Sequence, residues 1–273
     1  MLYWPLYMKR GCKTVTRVLA SRPQAQNVTW LRRLNEYGFE TINLPLLAIT
    51  ELEDCGEKRQ SQNYIANLDQ YNHCIFVSQN AVHYGFDAID AQWPQVPIGI
   101  DWIAIGRKTQ AQMERALDAM NASIYVSVGS EVMTSESLLA LPQLQSIKNK
   151  KILICRGMGG RKVLSDELNA RGAIVDECIL YRRERPSTCT EDFSKIDFVN
   201  DDILCVFSGE TLENLAALMA KSRSNQKADL KNNKLVVPGE RVANIAKGLG
   251  FKQVVIAANA SEDEMMATLK CYL

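Results

Sequence analysis

The sequence predicts an α/β protein of two similar three-layer α/β/α domains with parallel sheets, and three observations carry that reading. Short apolar runs ending in serine or glycine alternate with segments of helical apolar spacing along the whole chain, the pattern of parallel sheets covered on both faces. Landmarks of the first half return in the second. Arg22 is followed by Leu34 and Gly38, and Arg156 by Leu168 and Gly172 at the same offsets, while Ser78 matches Ser208 and Gly106 matches Gly239, each pair separated by about 130 residues. Finally, 273 residues suffice for two domains of common size without disulfides or metal ions.

In chain order, Val15 to Ala20 reads as a strand ending at Ser21-Arg22-Pro23. Asn27 to Tyr37 then carries Val28, Leu31 and Leu34 at helical spacing until Gly38 stops it. Phe39 to Ile49 reads as one further extended segment, in which Pro45 suits a sheet edge or a crossing between domains. The polar residues 51 to 72 are expected to hold a helix. His73 to Val77 is a buried-type strand, Asn80 to Ile89 a helix, Trp93 to Gly99 a loop with two prolines, and Trp102 to Ile105 the next strand. Thr109 to Met120 repeats apolar residues at helical spacing, Ile124 to Val128 is extended, and Thr134 to Leu141 is a helix capped by Thr134 or Ser135 and stopped at Pro142.

The second half restates the plan. Strand Ile152 to Cys155 leads through Arg156-Gly157-Met158-Gly159-Gly160-Arg161 into helix Lys162 to Ala170, and strand Ile174 to Tyr181 follows. Arg182 to Thr190 reads as a polar link. Strand Ile203 to Phe207, helix Thr211 to Met219, strand Leu235 to Val237, helix Val242 to Leu249, strand Gln253 to Ala257 and a last helix from Ser261 complete the chain.

Composition narrows the function. With 32 basic and 31 acidic residues the net charge is +1, so nothing draws the protein as a whole to nucleic acid or a membrane, and a small-molecule partner is expected. Eight cysteines form no C-x-x-C pair and several sit in apolar runs, as reduced core thiols in the cytoplasm do. Only His73 and His83 are present, which leaves a histidine-based zinc site and a Ser-His-Asp triad without their usual parts. The apolar start Met1 to Met8 has its charges Lys9 and Arg10 after it and is too short for a signal peptide. Residues 1 to 13 are read as an extension outside the fold, with Met8 as an alternative start.

In open parallel sheets ligands gather at the carboxyl ends of strands, where Arg22, Ser78, Gly106, Arg156, Ser208 and Gly239 all fall. The sharpest local signal is Arg156 to Arg161: its glycines expose backbone N–H groups at a helix start, and its arginines can clamp a carboxylate or phosphate. Gly157, Gly160 and Arg161 are therefore binding candidates with Arg156; the plain alternative is a tight turn with solvated arginines. The segment fits neither a dinucleotide fingerprint nor a P-loop. Ser78-Gln79-Asn80 and Ser208-Gly209-Glu210 present a hydroxyl and free amides, or simply cap their helices. The same choice applies to Gly106 with Thr109 and to Gly239 with Arg241. Tyr181 ends a strand before a basic link, in position to offer its hydroxyl or merely to pack. The carboxylates Glu53/Asp54, Asp201/Asp202 and Glu262/Asp263/Glu264 read as solvated ends, and His73, Met265 and Met266 as filler or surface.

Taken in order, Arg22-Pro23, Pro45, Ser78-x-x-Ala81-Val82, Ile105-Gly106-x-x-Thr109, Ser135-Glu136-x-Leu138-Leu139, Arg156-Gly157-x-Gly159-Gly160-Arg161, Arg171-Gly172-Ala173 and Tyr181-Arg182-Arg183 make the chain resemble uroporphyrinogen-III synthases from about residue 14 onward. It departs from them at Gly239-Glu240-Arg241, where many members have Gly-x-Thr. The resemblance implies a cut that is out of phase with the duplication: residues 14–48 with 184–273 as one domain, 49–183 as the other. The two would be joined by a thin antiparallel ladder around Leu44 to Ile49 and Ile179 to Arg183, with a cleft between them. It further implies a monomeric, cofactor-free and metal-free lyase of tetrapyrrole biosynthesis, closing hydroxymethylbilane with inversion of its last ring and loss of water. Tyr181 would be the acid, or else water, and the turn residues named above the carboxylate-binding groups. The rival reading is a non-catalytic two-lobed module that binds a small anion.

Overall fold

A computed structural model describes residues 15–129, 135–159, 162–221 and 229–272. Residues 1–13, the Thr134 cap, Gly160 and Arg161 lie outside the described residues. The chain divides into two compact units, one formed by the chain up to Ala48 and from Arg185 onward, the other by Ile49–Glu184.

The described strands are β1 (Arg17–Ala20), β2 (Glu40–Asn43), β3 (Ala48–Glu51), β4 (His73–Phe76), β5 (Asp101–Ala104), β6 (Val126–Val128), β7 (Lys151–Gly157), β8 (Ile174–Glu184), β9 (Ile203–Cys205), β10 (Lys234–Val237) and β11 (Gln253–Ile256). The first unit holds a five-stranded sheet in the order β11-β10-β9-β1-β2, and the second a six-stranded sheet in the order β3-β8-β7-β4-β5-β6. All four pairings of the first sheet are parallel, as are those from β8 through β6 in the second. The strand after the first helix, β2 or β8, lies beside the strand before it, β1 or β7. The other flank of β1 or β7 is filled from the opposite half of the sequence, by β9 or β4.

Alternation along these strands splits each core in two, because successive side chains leave a strand on opposite faces. In the first unit Leu19, Leu204, Leu235 and Val237 face one apolar layer, with helices Cys189–Lys195, Gly209–Lys221 and Glu240–Gly248. Val18, Ala20, Ile203 and Val236 face the other, where helix Gln24–Glu36 inserts Trp30 and Leu34, and helix Glu262–Lys270 inserts Met265, Met266 and Leu269. In the second unit Cys74, Phe76, Trp102 and Leu153 meet helices Gly56–Ala66, Gln79–Asp90 and Arg107–Ala119. Ile75, Ile103, Ile152 and Ile154 meet helices Ser135–Leu139 and Val163–Ala170. Each unit is a three-layer α/β/α sandwich. No helix of the described residues is long and apolar enough to cross a membrane.

Several expectations are corrected. Phe39 to Ile49 is not one strand: β2 stops at Asn43, and Leu44 and Leu46, both fully buried, give their amides to the Ala20 and Ser21 carbonyls before β3 begins in the other sheet. The polar link from Arg182 is strand to Glu184 and then helix Cys189–Lys195, a short polar helix that buries only Cys189 and Phe193 and so leaves a weak periodic signal. Asp202 is buried rather than solvated, holding the Arg17 guanidinium through both oxygens at 2.7 Å and capping the Val199 amide at 2.8 Å. For Met265, Met266 and His73, read as filler or surface, burial selects filler: all three are in the interior.

Burial pushes the His73 imidazole below its ordinary range, opposed by the Asp101 carboxylate 3.1 Å from Nδ1. Because the folded state resists protonation more than the unfolded one, this group costs nothing above its unfolded value near 6.5 and destabilises the fold as pH falls below it. The thermal midpoint of the wild-type protein is therefore expected to fall more steeply between about pH 6.5 and 5 than that of His73→Gln. Parallel curves would show that His73 does not contribute.

Candidate functional site

Parallel pairing brings the ends of β4, β5, β7 and β8 to one edge of the second sheet, and the residues beyond them build the site. Ser78 ends the extended run after β4 and caps helix Gln79–Asp90, its Oγ accepting from the Ala81 amide at 3.0 Å. The same oxygen lies 3.0 Å from the Tyr181 hydroxyl. The helix cap is thus also the neighbour of the Tyr181 hydroxyl.

Tyr181 reaches this position through an irregularity. Along β7 and β8, Arg156 opposes Ile179 but Gly157 opposes Tyr181, so Leu180 is an extra residue on β8. A bulge of this kind re-aims the side chains beyond it. Consecutive Leu180 and Tyr181 accordingly enter the same apolar cluster instead of opposite faces. Tyr181 is only 4% exposed, and its carbonyl accepts from the Met158 amide at 2.7 Å. Gly157 is needed for the close approach: a Cβ there would stand 2.5 Å from two carbons of the Tyr181 ring.

Arg156, at the end of β7, gives its guanidinium to Glu177 at 3.1 Å and to the Gly159 carbonyl at 2.5 Å, folding the glycine loop back on the strand. Val77, Ser78, Asn80, Arg156, Gly157, Gly159, Tyr181 and Arg183 together line a cavity of about 240 Å³. Arg183 is not among the binding candidates named from the sequence, yet it lines this cavity. The signal existed, because Tyr181 and Arg183 alternate onto one face of an extended strand. Gln79 is exposed and absent from the lining. Gly106 caps helix Arg107–Ala119, and Thr109 is buried in its first turn.

The equivalent edge of the first unit is arranged differently. Ser208 Oγ accepts from the Thr211 amide at 3.1 Å and lies 2.8 Å from its hydroxyl. Gly209 is buried close to Ile245 and the Arg241 guanidinium. Gly239 has φ +107°, a conformation that favours glycine, and caps helix Glu240–Gly248. Arg241 is exposed on that helix's first turn. Arg22 is engaged: it pairs with Glu262, donates to Gln26 at 3.1 Å and covers the Phe207 ring at 4.6 Å. Arg33 joins the cluster, 3.1 Å from Glu262 and 2.7 Å from Asp263, so these two carboxylates are ion-pair partners rather than merely solvated ends. Among the described residues, no three His, Cys, Asp or Glu side chains are grouped to hold a metal ion.

A family model described as uroporphyrinogen-III synthase HemD matches residues 29–267, most of the chain and both units. The chain belongs to the uroporphyrinogen-III synthase family. It is 30% identical over 262 residues to the Escherichia coli K12 uroporphyrinogen-III synthase, covering 93% of this chain and 99% of that one. With the Proteus mirabilis family member it is 31% identical over 202 residues, covering 72% and 96%. Its fold matches crystal structures from Helicobacter pylori 26695, with a TM-score of 0.59 at 12% identity over 95% and 100% of the two chains. A mutant from Thermus thermophilus gives 0.56 at 17% identity over 94% and 97%.

The tight contact at Gly157 yields a stability test. Gly157→Ala is expected to cost about 1–3 kcal/mol in denaturant unfolding, as overpacking does, and much less in a Tyr181→Ala background where the ring is gone. Equal costs in both backgrounds would show that the ring is not what the methyl meets.

Proposed function

We propose that this chain cyclises hydroxymethylbilane to uroporphyrinogen III, inverting the last pyrrole ring and releasing water. Family membership supplies the reaction, and the observation that carries the assignment of residues is the cavity in which Tyr181, Ser78, Asn80 and Arg156 meet. The substrate is a linear tetrapyrrole with eight carboxylates. Backbone amides at helix starts and a few arginines suit such a polyanion on a protein with a net charge of only +1.

Once its hydroxyl is protonated, the electron-rich pyrrole expels it as water, leaving an azafulvenium cation beside the acid's conjugate base, which recovers a proton when the ring closes. Tyr181 donates that proton, and Ser78, hydrogen-bonded to the phenol, orients it. Attack by the substituted carbon of the terminal ring gives a spiro intermediate whose rearrangement inverts the ring. Unassisted closure joins the unsubstituted position instead, so the protein's main task is to hold the chain in the folded shape. Asn80, Gly106, Arg156, Gly157 and Arg161 receive carboxylates in one unit. Arg22, Ser208, Gly209, Gly239 and Arg241 supply donors of the same class in the other, Arg22 after exchanging Glu262 for a substrate carboxylate. The enzyme acts as a monomer in the cytoplasm, a reducing setting that suits the buried free thiols Cys74, Cys155, Cys178, Cys189 and Cys205.

Incubation with freshly generated hydroxymethylbilane tests the activity: the type III isomer is expected, and the type I product alone would leave a non-catalytic binder. Tyr181→Phe is expected to lose about 100-fold in kcat with KM nearly unchanged, the scale of one general acid. Unchanged turnover would remove Tyr181 from the chemistry. Arg156→Ala is expected to raise KM about tenfold, the loss of one charge-assisted contact, and a wild-type KM would count against the clamp.

A further inference from the structure

Tyr84 lies on the same helix as the Ser78 cap, Gln79–Asp90, and its ring stacks on that of Tyr181 with centroids 5.7 Å apart and planes inclined by 23°. Its own hydroxyl donates to the Ile49 carbonyl at 3.3 Å, beside the first residues of β3. Tyr84 is absent from the lining of the Tyr181 cavity. It lines a separate groove of about 330 Å³ with Leu52, Ile65, Ala88 and Leu180, and its ring stands at the boundary between that groove and Tyr181.

A phenol is a directional acid. Conjugation holds its O–H bond in the plane of the ring, so the ring plane decides where the proton points, whereas one hydrogen bond at the oxygen fixes only where the oxygen sits. Ser78 supplies that one point. The backbone at Gly157 bounds the ring at Cε2 and Cζ. The stacked partner supplies what these leave open, because offset aromatic pairs resist tilting and rotation of either plane. One helix thus carries both the hydrogen-bond partner of the hydroxyl and the packing partner of the ring.

We infer that Tyr84 is a positioning residue for the reaction, setting the plane of the Tyr181 ring and hence the direction of its proton through the stack, while its hydroxyl bond to Ile49 only anchors it. This inference rests on the reading of Tyr181 as the acid. Misdirection of a catalytic group by a fraction of its length is enough to cost an order of magnitude in rate.

The test is a double-mutant cycle with hydroxymethylbilane as substrate, reading kcat, KM and the ratio of type III to type I product. Tyr84→Leu is expected to lower kcat about tenfold, to leave KM within about twofold, and to raise the type I fraction as slower enzymatic closure competes with the spontaneous one. Tyr84→Phe keeps the stack and is expected to stay within about twofold of wild type. In a Tyr181→Phe background Tyr84→Leu is expected to change kcat by less than about twofold, since the direction it controls no longer matters. If Tyr84→Leu does not fold, Tyr84→Met, of similar volume without an aromatic plane, replaces it. Wild-type kcat in the non-aromatic variant, or an equal fractional loss with and without the Tyr181 hydroxyl, overturns the inference. Wild-type kcat in Tyr181→Phe alone overturns the reading beneath it, and the two failures are told apart by that single variant.

Discussion

The constraint on which everything else depends is parallel pairing. A parallel ladder sends every strand the same way, so the chain must leave each strand at one edge and return by a helix on a face. In the second unit this delivers the ends of β4, β5, β7 and β8 to a common edge, and helix starts with outward amides follow from it. The apolar alternation of Ile75, Ile103, Ile152 and Ile154 against Cys74, Phe76, Trp102 and Leu153 holds the sheet between its two helical layers. Chemistry at the edge is free to vary because stability is secured beneath it.

On that frame, one departure from regularity matters most. A perfectly registered β8 would set Leu180 opposite Gly157 and turn Tyr181 to the other face. The extra residue places Tyr181 where Ser78, Gly157 and Tyr84 all reach it. Each of these contacts has a structural use of its own: a helix cap, a close backbone approach and an aromatic stack. The unit therefore builds its candidate acid from parts that also stabilise it: Tyr181 is buried on a strand, while Gly159 and Arg183 of the same lining are exposed.

Much of this was legible in the sequence, and the exceptions have physical causes. The strand and helix signals around Ser78, Gly106, Arg156 and Ser208 were read from apolar period and glycine stops, because those features act locally. The burial of Thr109 is not legible there, because a helix start reads alike whether its hydroxyl faces solvent or core. Arg22 reads as a free cation in sequence, and only the fold brings Glu262, 240 residues away, to its guanidinium. The helix at Cys189 escaped since two buried residues do not make a period. The bulge at Leu180 left no trace at all, being a property of register between two strands rather than of either one.

The two units differ in when their strands become available during synthesis. The unit Ile49–Glu184 is continuous, so all of its strands have been synthesised before most of the later chain exists. The other unit seats β1 between β2 and β9, and its Val18 waits for Ile203, most of a chain length later. Domains generally fold as they emerge, and pairings between distant segments are slow to close. The strands β1 and β2, with the helix that joins them, must therefore persist as an unfinished fragment, one apolar strand flank open, until the last third of the protein arrives.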